Sequence, residues 1–178
     1  MDATIIGAPS STKNADKAWD PDMQQIRKGQ QGYFGMKLHI GVGSQSGLAH
    51  SAVGTAENVH DKHPLSYLLH GNEQQVYGDS AYASQKDLIA SKALNAKDFT
   101  NQRTRRNGVV NEVLKGKNCN KSKIGARVEH VFGVVKRRWR FGKVRYRGSQ
   151  KNATRAFTKL ALANMYLGRQ RLMAQARP

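Results

Sequence analysis

An α/β fold, in which a mixed sheet is flanked by helices, is predicted for this chain by three observations. Short runs rich in β-branched residues occupy the first half of the sequence, and a strong helical periodicity begins at residue 125. Strand and helix signals alternate in the order β, β, β, α, β, α, a weak β, α, α. The length of 178 residues fits one domain with its own core, so we expect residues 1–178 to form a single unit.

The strand signals lie mainly in the first half of the chain. The segment "MDATIIG" is rich in Thr and Ile and ends at Gly7, whereas residues 9–32 are polar and predict a long loop. The segments "YFGMKLHIGVG" (33–43) and "GLAHSAVGTAEN" (47–58) surround the turn-like "GSQSG" and predict a hairpin. A further strand that ends in a turn is predicted in "QQVYGDSAY" (74–82).

Two short helices are predicted between and after these strands. The segment "DKHPLSYLLHG" predicts a helix that begins with Asp61 as its N-cap and ends at Gly71. The segment "SQKDLIASKAL" (84–94) begins with a sequence close to a capping box and predicts a second helix. Residues 95–124 are polar, basic and rich in asparagine, and we expect a weak strand followed by irregular or helical structure there.

Two longer helices are predicted in the last third of the chain. From residue 125 onwards, apolar residues recur at helical spacing and define one buried stripe. Its members are Val128, Val131, Phe132, Val135 and Trp139. A basic connector, 142–152, leads to a last helix over 153–173. The residues expected on one face of that helix are Ala156, Phe157, Leu160, Ala161, Asn164 and Leu167.

The positive charge is concentrated in the second half of the chain. Residues 1–112 carry 12 Lys and Arg against 11 Asp and Glu, whereas residues 113–178 carry 18 against Glu129 alone. Such a basic block is typical of a surface that binds nucleic acid, although a basic solvated face, as in ribosome-associated proteins, would give the same count. The single cysteine and the absence of a secretory pattern or a long apolar run predict a cytoplasmic protein without a membrane span.

The stretch "GARVEHVFGVVKRRWRF" (125–141) keeps one carboxylate, Glu129, among many cations. These positive surroundings favour the ionised form of the acid. At about 100° per residue, Glu129, Lys136 and Arg140 share a ridge at the edge of the apolar stripe, where a functional surface would lie. A simple salt bridge between Glu129 and Lys136 is disfavoured, because helical ion pairs prefer a spacing of about three or four residues.

Two aspartates at strand ends are the candidate partners of Glu129. Asp2 lies in the first predicted strand, and Asp79 ends a later one just before a turn. An isolated aspartate at such a position most often forms a turn. Two divalent metal ions about 3.5–4 Å apart, however, need several hard oxygen ligands, which Asp and Glu supply. The two aspartates are therefore candidates because they occur together with Glu129 in this order of elements.

Four segments resemble, in order, the catalytic core of bacterial insertion-sequence DDE transposases, most closely the insertion sequence five group. They are "MDATIIGAPSSTKN", "YFGMKLHIGVGSQSGLAHSAVGTAENVHD", "VYGDSAY" and "ARVEHVFGVVKRRW…GKVRYRG". The resemblance implies an RNase H-like fold whose first and fourth strands are parallel neighbours, which would place Asp2 and Asp79 side by side with Glu129 over them. It also implies that these three residues are catalytic and hold two Mg²⁺ ions, for which Mn²⁺ can substitute, to cleave DNA and transfer the freed strand.

The resemblance further suggests how the DNA end is held. The family's helix signature places a Tyr and an Arg before the Glu and a Lys after it. Glu129 and Lys136 match this signature, whereas Ser122 and Gly125 occupy the other two positions. We therefore expect Lys136 to bind a terminal phosphate or base.

Other basic residues are expected to contact DNA around the site. Arg140 lies on the predicted ridge, and Arg145 and Arg147 in "VRYRG" would bind phosphates, with Tyr146 available for stacking. Lys37 resembles a family position on the second strand. The alternative for the two loop arginines is a solvated loop, and for Lys37 a solvated strand lysine.

The chain departs from the family pattern at its start. Family members carry a helical region before the first catalytic aspartate, whereas Asp2 is the second residue of this sequence. We therefore expect an N-terminally truncated transposase in the nucleoid, which acts as a homo-oligomer on DNA or with the missing part supplied in trans. The alternatives are a catalytically inactive remnant that only binds DNA and, on charge alone, a ribosomal-type RNA-binding protein.

Overall fold

The computed structural model describes residues 1–9, 18–106 and 109–175, which form a mixed α/β structure. Within these residues the strands are β1 (Asp2–Gly7), β2 (Gln24–Lys28), β3 (Gln31–Val42), β4 (Ala49–Ala56), β5 (Gln75–Val76), β6 (Lys97–Asp98), β7 (Arg105–Arg106) and β8 (Val109–Val110). The helices are α1 (Leu65–Leu68), α2 (Lys86–Lys92), α3 (Glu112–Gly133) and α4 (Ser149–Gln175). A 3₁₀ turn covers Ser80–Tyr82, and a π-helical turn, Val134–Arg138, continues α3. Every helix in the described part of the chain is too short or too polar to cross a membrane.

β3 is the centre of the main sheet because it has partners on both sides. β1 pairs antiparallel along one edge, from Asp2 opposite Ile40 to Gly7 opposite Gly35. On the other edge of β3, β2 pairs with its first half and β4 with its second half, and both are antiparallel to β3. The chains approach so closely at Gly35 that a Cβ there would collide with the carbonyl oxygen of Ile6, so only glycine fits. The antiparallel pairing of β3 with β4 confirms the hairpin predicted for residues 33–43 and 47–58.

A smaller sheet lies beside the start of β1. β5 and β6 pair in parallel, whereas β7 and β8 form a separate antiparallel pair. The main-chain nitrogen of Met1 donates a hydrogen bond to the carbonyl oxygen of Tyr77, just beyond β5, at 2.7 Å. The start of β1 therefore lies next to the end of β5, although no ladder joins the two strands in the described residues.

Two segments predicted as irregular contain regular structure. The predicted loop over 9–32 includes β2, whose polar residues pair with β3 despite their composition; residues 10–17 of that loop lie outside the described residues. The long helix predicted from residue 125 begins earlier, at Glu112. Asn111 caps it, because its side-chain oxygen accepts the N–H of Leu114 at 3.0 Å.

Two predicted helix starts and one predicted strand are wrong in detail. Asp61 does not cap α1: its carboxylate binds Lys37 instead, and α1 is a single turn that begins after Pro64. α2 begins after Gln85 without a side-chain cap, so the capping box is not formed. The strand predicted over 74–82 is reduced to the two residues of β5, because the chain turns into the 3₁₀ turn after it.

The apolar stripe predicted on α3 is confirmed as part of the core. The buried members are Val128, Val131, Phe132 and Val135, and Trp139 packs partly against them. On α4 the buried face is rotated relative to the prediction, since Ala163 is buried whereas Phe157 and Ala161 face solvent. Asn164 helps to set this rotation by bonding to both the N–H and the carbonyl oxygen of Ala49 on β4.

Candidate active site

Three carboxylates from distant parts of the chain line one cavity of about 290 Å³. Asp2 is the first residue of β1, Asp79 precedes the 3₁₀ turn that follows β5, and Glu129 lies on α3. The hydrogen bond between Met1 and Tyr77 holds the start of β1 against the segment that carries Asp79. The structure therefore brings together the three acids that the sequence singles out.

The carboxyl groups of Asp2 and Glu129 contact each other. Burial raises the pKa of Asp2 to about 6, although a hydrogen bond from the main-chain N–H of Ala3 at 2.7 Å opposes the shift. The negative charges of Glu129 and Asp79 raise this pKa further, as does a hydrogen bond between the Asp2 and Glu129 side chains. The other two acids therefore hinder the ionisation of Asp2, a repulsion that a bound cation would relieve.

The turn that carries Asp79 is fixed by that residue and by a buried ring. Oδ1 of Asp79 accepts the main-chain N–H of Ala81 at 2.7 Å and so caps the 3₁₀ turn. Tyr82 is buried against the same segment, and a Cβ at Gly78 would come within 2.8 Å of its ring. Burial, followed by the charges of the nearby carboxylates, raises the pKa of Tyr82, so its phenol is neutral. Glycine before Asp79 is therefore required for the packing that orients the acid.

The three carboxylates suit a hard divalent cation, but their oxygens do not converge closely on one position. Carboxylate oxygens are the ligands that Mg²⁺ prefers. Among the described residues, however, no group of three or more His, Cys, Asp or Glu side chains is gathered closely enough to hold a metal ion. Asp2 and Glu129 form a contacting pair and Asp79 lines the same cavity, so the side chains would have to close in on a metal bound there.

Asn101 reaches the same cavity and is not predicted by the sequence. Its main-chain N–H donates to the carbonyl oxygen of Gly78 at 2.9 Å, and its Nδ2 donates to Oγ of Ser122 on α3 at 3.1 Å. Its Oδ1 is buried and has no hydrogen-bond partner among the described residues. Lys121 of α3 is bonded to the same segment, through the carbonyl oxygen of Thr100 at 3.0 Å. The asparagine-rich composition of this segment is the only signal in the sequence, and it points to no particular residue.

Lys37 is buried rather than presented to DNA. Its Nζ donates to the carbonyl oxygen of Val59 at 2.8 Å and to Oδ1 of Asp61 at 3.0 Å, and its side chain is 5% exposed. His39 lies beside this pair with Nε2 at 2.9 Å from Oγ1 of Thr55, and burial lowers its pKa to about 4 despite the negative charge of Asp61. A DNA contact by Lys37 stays a prediction, and the burial of its ammonium group argues against it.

The ridge predicted for Glu129, Lys136 and Arg140 is interrupted. Residues 134–138 form a π-helical turn, so the regular angular step of an α-helix no longer applies there. Arg140 lies beyond the helix in a left-handed conformation, with φ of 49°. Its place on the ridge is therefore wrong, whereas its contact with DNA, like that of Lys136 in the π-helical turn, stays a prediction.

The loop that carries Arg145 and Arg147 is exposed and rigidly supported. Asn152, buried in the first turns of α4, accepts the N–H groups of Arg145 and Tyr146 on its Oδ1, both at 3.2 Å. Its Nδ2 donates to the carbonyl oxygens of Tyr146 at 2.6 Å and Gly148 at 2.7 Å. One side chain therefore satisfies four main-chain groups and holds the two arginines at the surface.

Comparison with known proteins identifies one matching family. A family model described as a transposase DDE domain matches residues 1–165, a range that includes all three acids of the cavity. No solved structure matches the chain.

Proposed function

The chain belongs to the transposase DDE-domain family, and on this premise we propose that it cleaves and joins DNA strands at the ends of an element of the insertion sequence five group. Asp2, Asp79 and Glu129 are the catalytic residues in this proposal. The observation that carries it is the convergence of these three acids on one cavity from segments far apart in the chain. The protein acts in the nucleoid, as a homo-oligomer on DNA.

The strand arrangement supports an RNase H-like fold. β4, β3 and β1 form an antiparallel row, and the bond from Met1 to Tyr77 puts the parallel pair of β5 and β6 beside β1. This order brings the start of β1 next to the end of β5. Asp2 at the start of β1 and Asp79 after β5 therefore line the same cavity, and α3 adds Glu129.

The residues of the cavity fit a divalent metal. Asp2, Asp79 and Glu129 would hold Mg²⁺ or Mn²⁺, as two ions, which would activate a water and then the freed 3′-hydroxyl and stabilise the leaving oxygen. Asp2 and Asp79 each have one oxygen held by a main-chain N–H, which limits how far these carboxylates can turn. Burial, and then repulsion by Glu129 and Asp79, raises the pKa of Asp2 to about 6, and a cation bound between the acids would relieve that repulsion.

The DNA backbone is bound by the basic half of the chain. Residues 113–178 carry 18 Lys and Arg against one acid, and Arg145 and Arg147 project from a loop that Asn152 holds in place. Lys136 and Arg140 add two cations after α3. Phosphate contacts of this kind fix the register of DNA without reading its sequence.

Nicking of supercoiled plasmid in the presence of Mg²⁺ or Mn²⁺ tests the proposal. We expect Asp79→Asn and Glu129→Gln each to lower the nicking rate by more than about 100-fold. Mutation of a residue that only hydrogen-bonds to a metal ligand already lowers metal affinity or activity by about 10- to 100-fold, and loss of a ligand itself should cost more. Asp87→Asn removes an acid from the first turn of α2, away from the cavity, and is the matched control that keeps the rate. Nicking that continues in EDTA, or at the same rate in all variants, would contradict the proposal.

A catalytically inactive protein that only binds DNA is the second candidate. The observation that favours it is the lack, among the described residues, of a closed group of three metal-ligating side chains. In that case plasmid is bound with a steep salt dependence but is never nicked, with or without metal. The same binding in wild type, Asp79→Asn and Glu129→Gln, combined with no nicking by any of them, would establish it.

A further inference from the structure

A second and larger cavity, of about 430 Å³, adjoins the three acids. The two cavities share the wall formed by Met1, Tyr77 and Gly125, and a Cβ at Gly125 would meet nothing within 4 Å, so there is open space at this wall. The volume lies in the range of roughly 300–1,000 Å³ that small-molecule sites occupy. None of the three acids lines this cavity, so the cleavage chemistry leaves it without a role.

The wall of this second cavity contains a nearly buried carboxylate. Glu73 lines it with a side chain only 8% exposed, and its two oxygens accept the main-chain N–H groups of His70 at 2.7 Å and Gly71 at 2.8 Å. Burial would raise the pKa of Glu73, but these hydrogen bonds outweigh it and lower the pKa. The cavity therefore has a negative charge in its wall, and the basic groups of Met1 and Arg127 line the same cavity.

The polar groups that face the second cavity are mostly neutral. Burial and then repulsion by His70 lower the pKa of His50, so its imidazole is uncharged near neutral pH and has one donor and one acceptor nitrogen. Asn72 and Gln74 add amide groups, each of which has donors and an acceptor. Such a set can bond to a molecular edge on which donors and acceptors alternate.

The floor of the second cavity is apolar and its rim is basic. Val76 and Val128 lie there and are almost fully buried, with Ile124 beside them. Arg127, which is exposed on α3, also lines the cavity. An apolar floor suits the face of a flat ring, and an exposed guanidinium group beside it can bind a phosphate outside the pocket.

We infer that this second cavity binds the base of an unpaired nucleotide that adjoins the phosphate on which the three acids act. A base has a flat apolar face and an edge of alternating donors and acceptors, and both features have counterparts in the floor and in the polar wall. The inference rests on the proposed function for its DNA substrate. It adds a subsite that binds a base, whereas the phosphate contacts proposed for the basic half of the chain read only the backbone.

Binding of the four deoxynucleoside 5′-monophosphates, measured by saturation-transfer NMR without metal, tests the inference. We expect saturation of the base protons to exceed that of the sugar protons for at least one nucleotide. His50→Ala and Gln74→Ala should weaken its binding by about 3- to 10-fold each, the loss typical of one or two hydrogen bonds. The matched controls are His63→Ala and Gln170→Ala, which remove exposed residues of the same types that do not line the cavity.

A DNA probe extends the test to the polymer. In a duplex with a single-stranded overhang that contains 2-aminopurine, unstacking of that base in the cavity should raise its fluorescence, and His50→Ala should reduce the rise. Equal binding by His50→Ala, Gln74→Ala and wild type, or saturation of the sugar protons alone, would overturn the inference. Plasmid nicking separates the two proposals. Nicking without base binding would support the proposed cleavage of DNA and overturn the base subsite. Base binding without nicking would support the subsite and contradict the proposed cleavage.

Discussion

The contact between Asp2 and Glu129 makes the candidate active site costly to fold when no cation is bound. The pKa of Asp2 is about 6 in the folded chain against its ordinary value of 3.8, first because of burial and then because of repulsion by the other acids. Between these two values the folded state binds more protons than the unfolded state. Stability therefore falls as the pH rises through this window, and the penalty is complete above it.

Mg²⁺ should stabilise the protein near neutral pH and much less near pH 5, where Asp2, with a pKa of about 6, is mostly protonated. Asp2→Asn should raise the melting temperature near neutral pH without metal, because it removes one charge from the group, and it should abolish most of the response to Mg²⁺. In a domain of this size each kcal/mol corresponds to about 2–4 °C. Thermal unfolding followed by circular dichroism, with and without Mg²⁺, measures both effects.

The control for this prediction is Asp87→Asn, which should leave the response to Mg²⁺ and its pH dependence as in wild type. If the melting temperature rose equally with Mg²⁺ at both pH values, binding would not depend on the ionisation of Asp2. The same conclusion would follow if Asp2→Asn responded like wild type.

At the scale of elements, the sequence predicts long regular patterns and misses short or irregular ones. The stripe of α3 is recognised because five apolar residues keep a 3.6-residue spacing. The π-helical turn Val134–Arg138 leaves no mark in that pattern, so the orientation assigned to Arg140 is wrong. β5 and β6 have two residues each, fewer than any alternation rule can detect. Hydrogen bonds from Met1 to Tyr77 and from Lys121 to Thr100 tie this part of the chain to β1 and α3.

Asn152 joins α4 to the loop before it, and its removal should affect both stability and DNA binding. Asn152→Ala leaves four main-chain groups of the loop without their partner, which should lower the free energy of unfolding by about 2–4 kcal/mol. The loop that carries Arg145 and Arg147 would also lose its fixed conformation, so DNA affinity should fall. Urea unfolding and fluorescence anisotropy with a labelled duplex measure the two effects.

Asn164→Ala is the matched control for this prediction. Asn164 lies on the same helix and makes two hydrogen bonds to Ala49 of β4, far along the helix from the loop. It should lower stability while DNA affinity, measured where both variants are folded, stays unchanged. Equal DNA affinity of the two variants would show that the support of the loop by Asn152 is not needed for binding.

At the scale of the whole molecule, the sequence identifies the three acids but not their surroundings. Asp2, Asp79 and Glu129 are found because each lies in a segment with a recognisable pattern and the segments follow in a characteristic order. Asn101 and the cavity lined by His50 lie at places where unrelated segments meet, and no local pattern marks such a meeting. The burial of Lys37 has the same cause, because it depends on Asp61 from a different segment.

Several cations of the basic half of the chain lie over aromatic rings. Residues 113–178 contain a single acid, so their cations have few ionic partners there. The guanidinium groups of Arg138 and Arg169 instead lie 4.1 and 4.2 Å from the ring centre of Tyr166, and Lys159 lies 5.8 Å from that of Trp139. These interactions attract the cations to the ring faces and limit their motion, which would reduce the entropic cost of binding phosphates in the proposed complex with DNA.

Tyr166→Leu should therefore weaken DNA binding although it changes no charge. If Arg138 and Arg169 are arranged by the ring, both lose that contact and one or two phosphates are bound more weakly, although Arg169 keeps its hydrogen bond to the main-chain carbonyl oxygen of Tyr166. The slope of the logarithm of the affinity against the logarithm of salt concentration should then become shallower by about 0.9 for each phosphate that is no longer neutralised. Fluorescence anisotropy titrations at several salt concentrations give this slope.

The control is Tyr67→Leu, which removes an exposed ring of α1 that has no cation over it in the described residues and should leave the slope unchanged. If affinity depended on net charge alone, Tyr166→Leu and wild type would give the same isotherms at every salt concentration. That result would mean that the positions of the cations are irrelevant. A difference confined to Tyr166→Leu would instead show that binding requires cations held in position, because the two proteins carry the same charge.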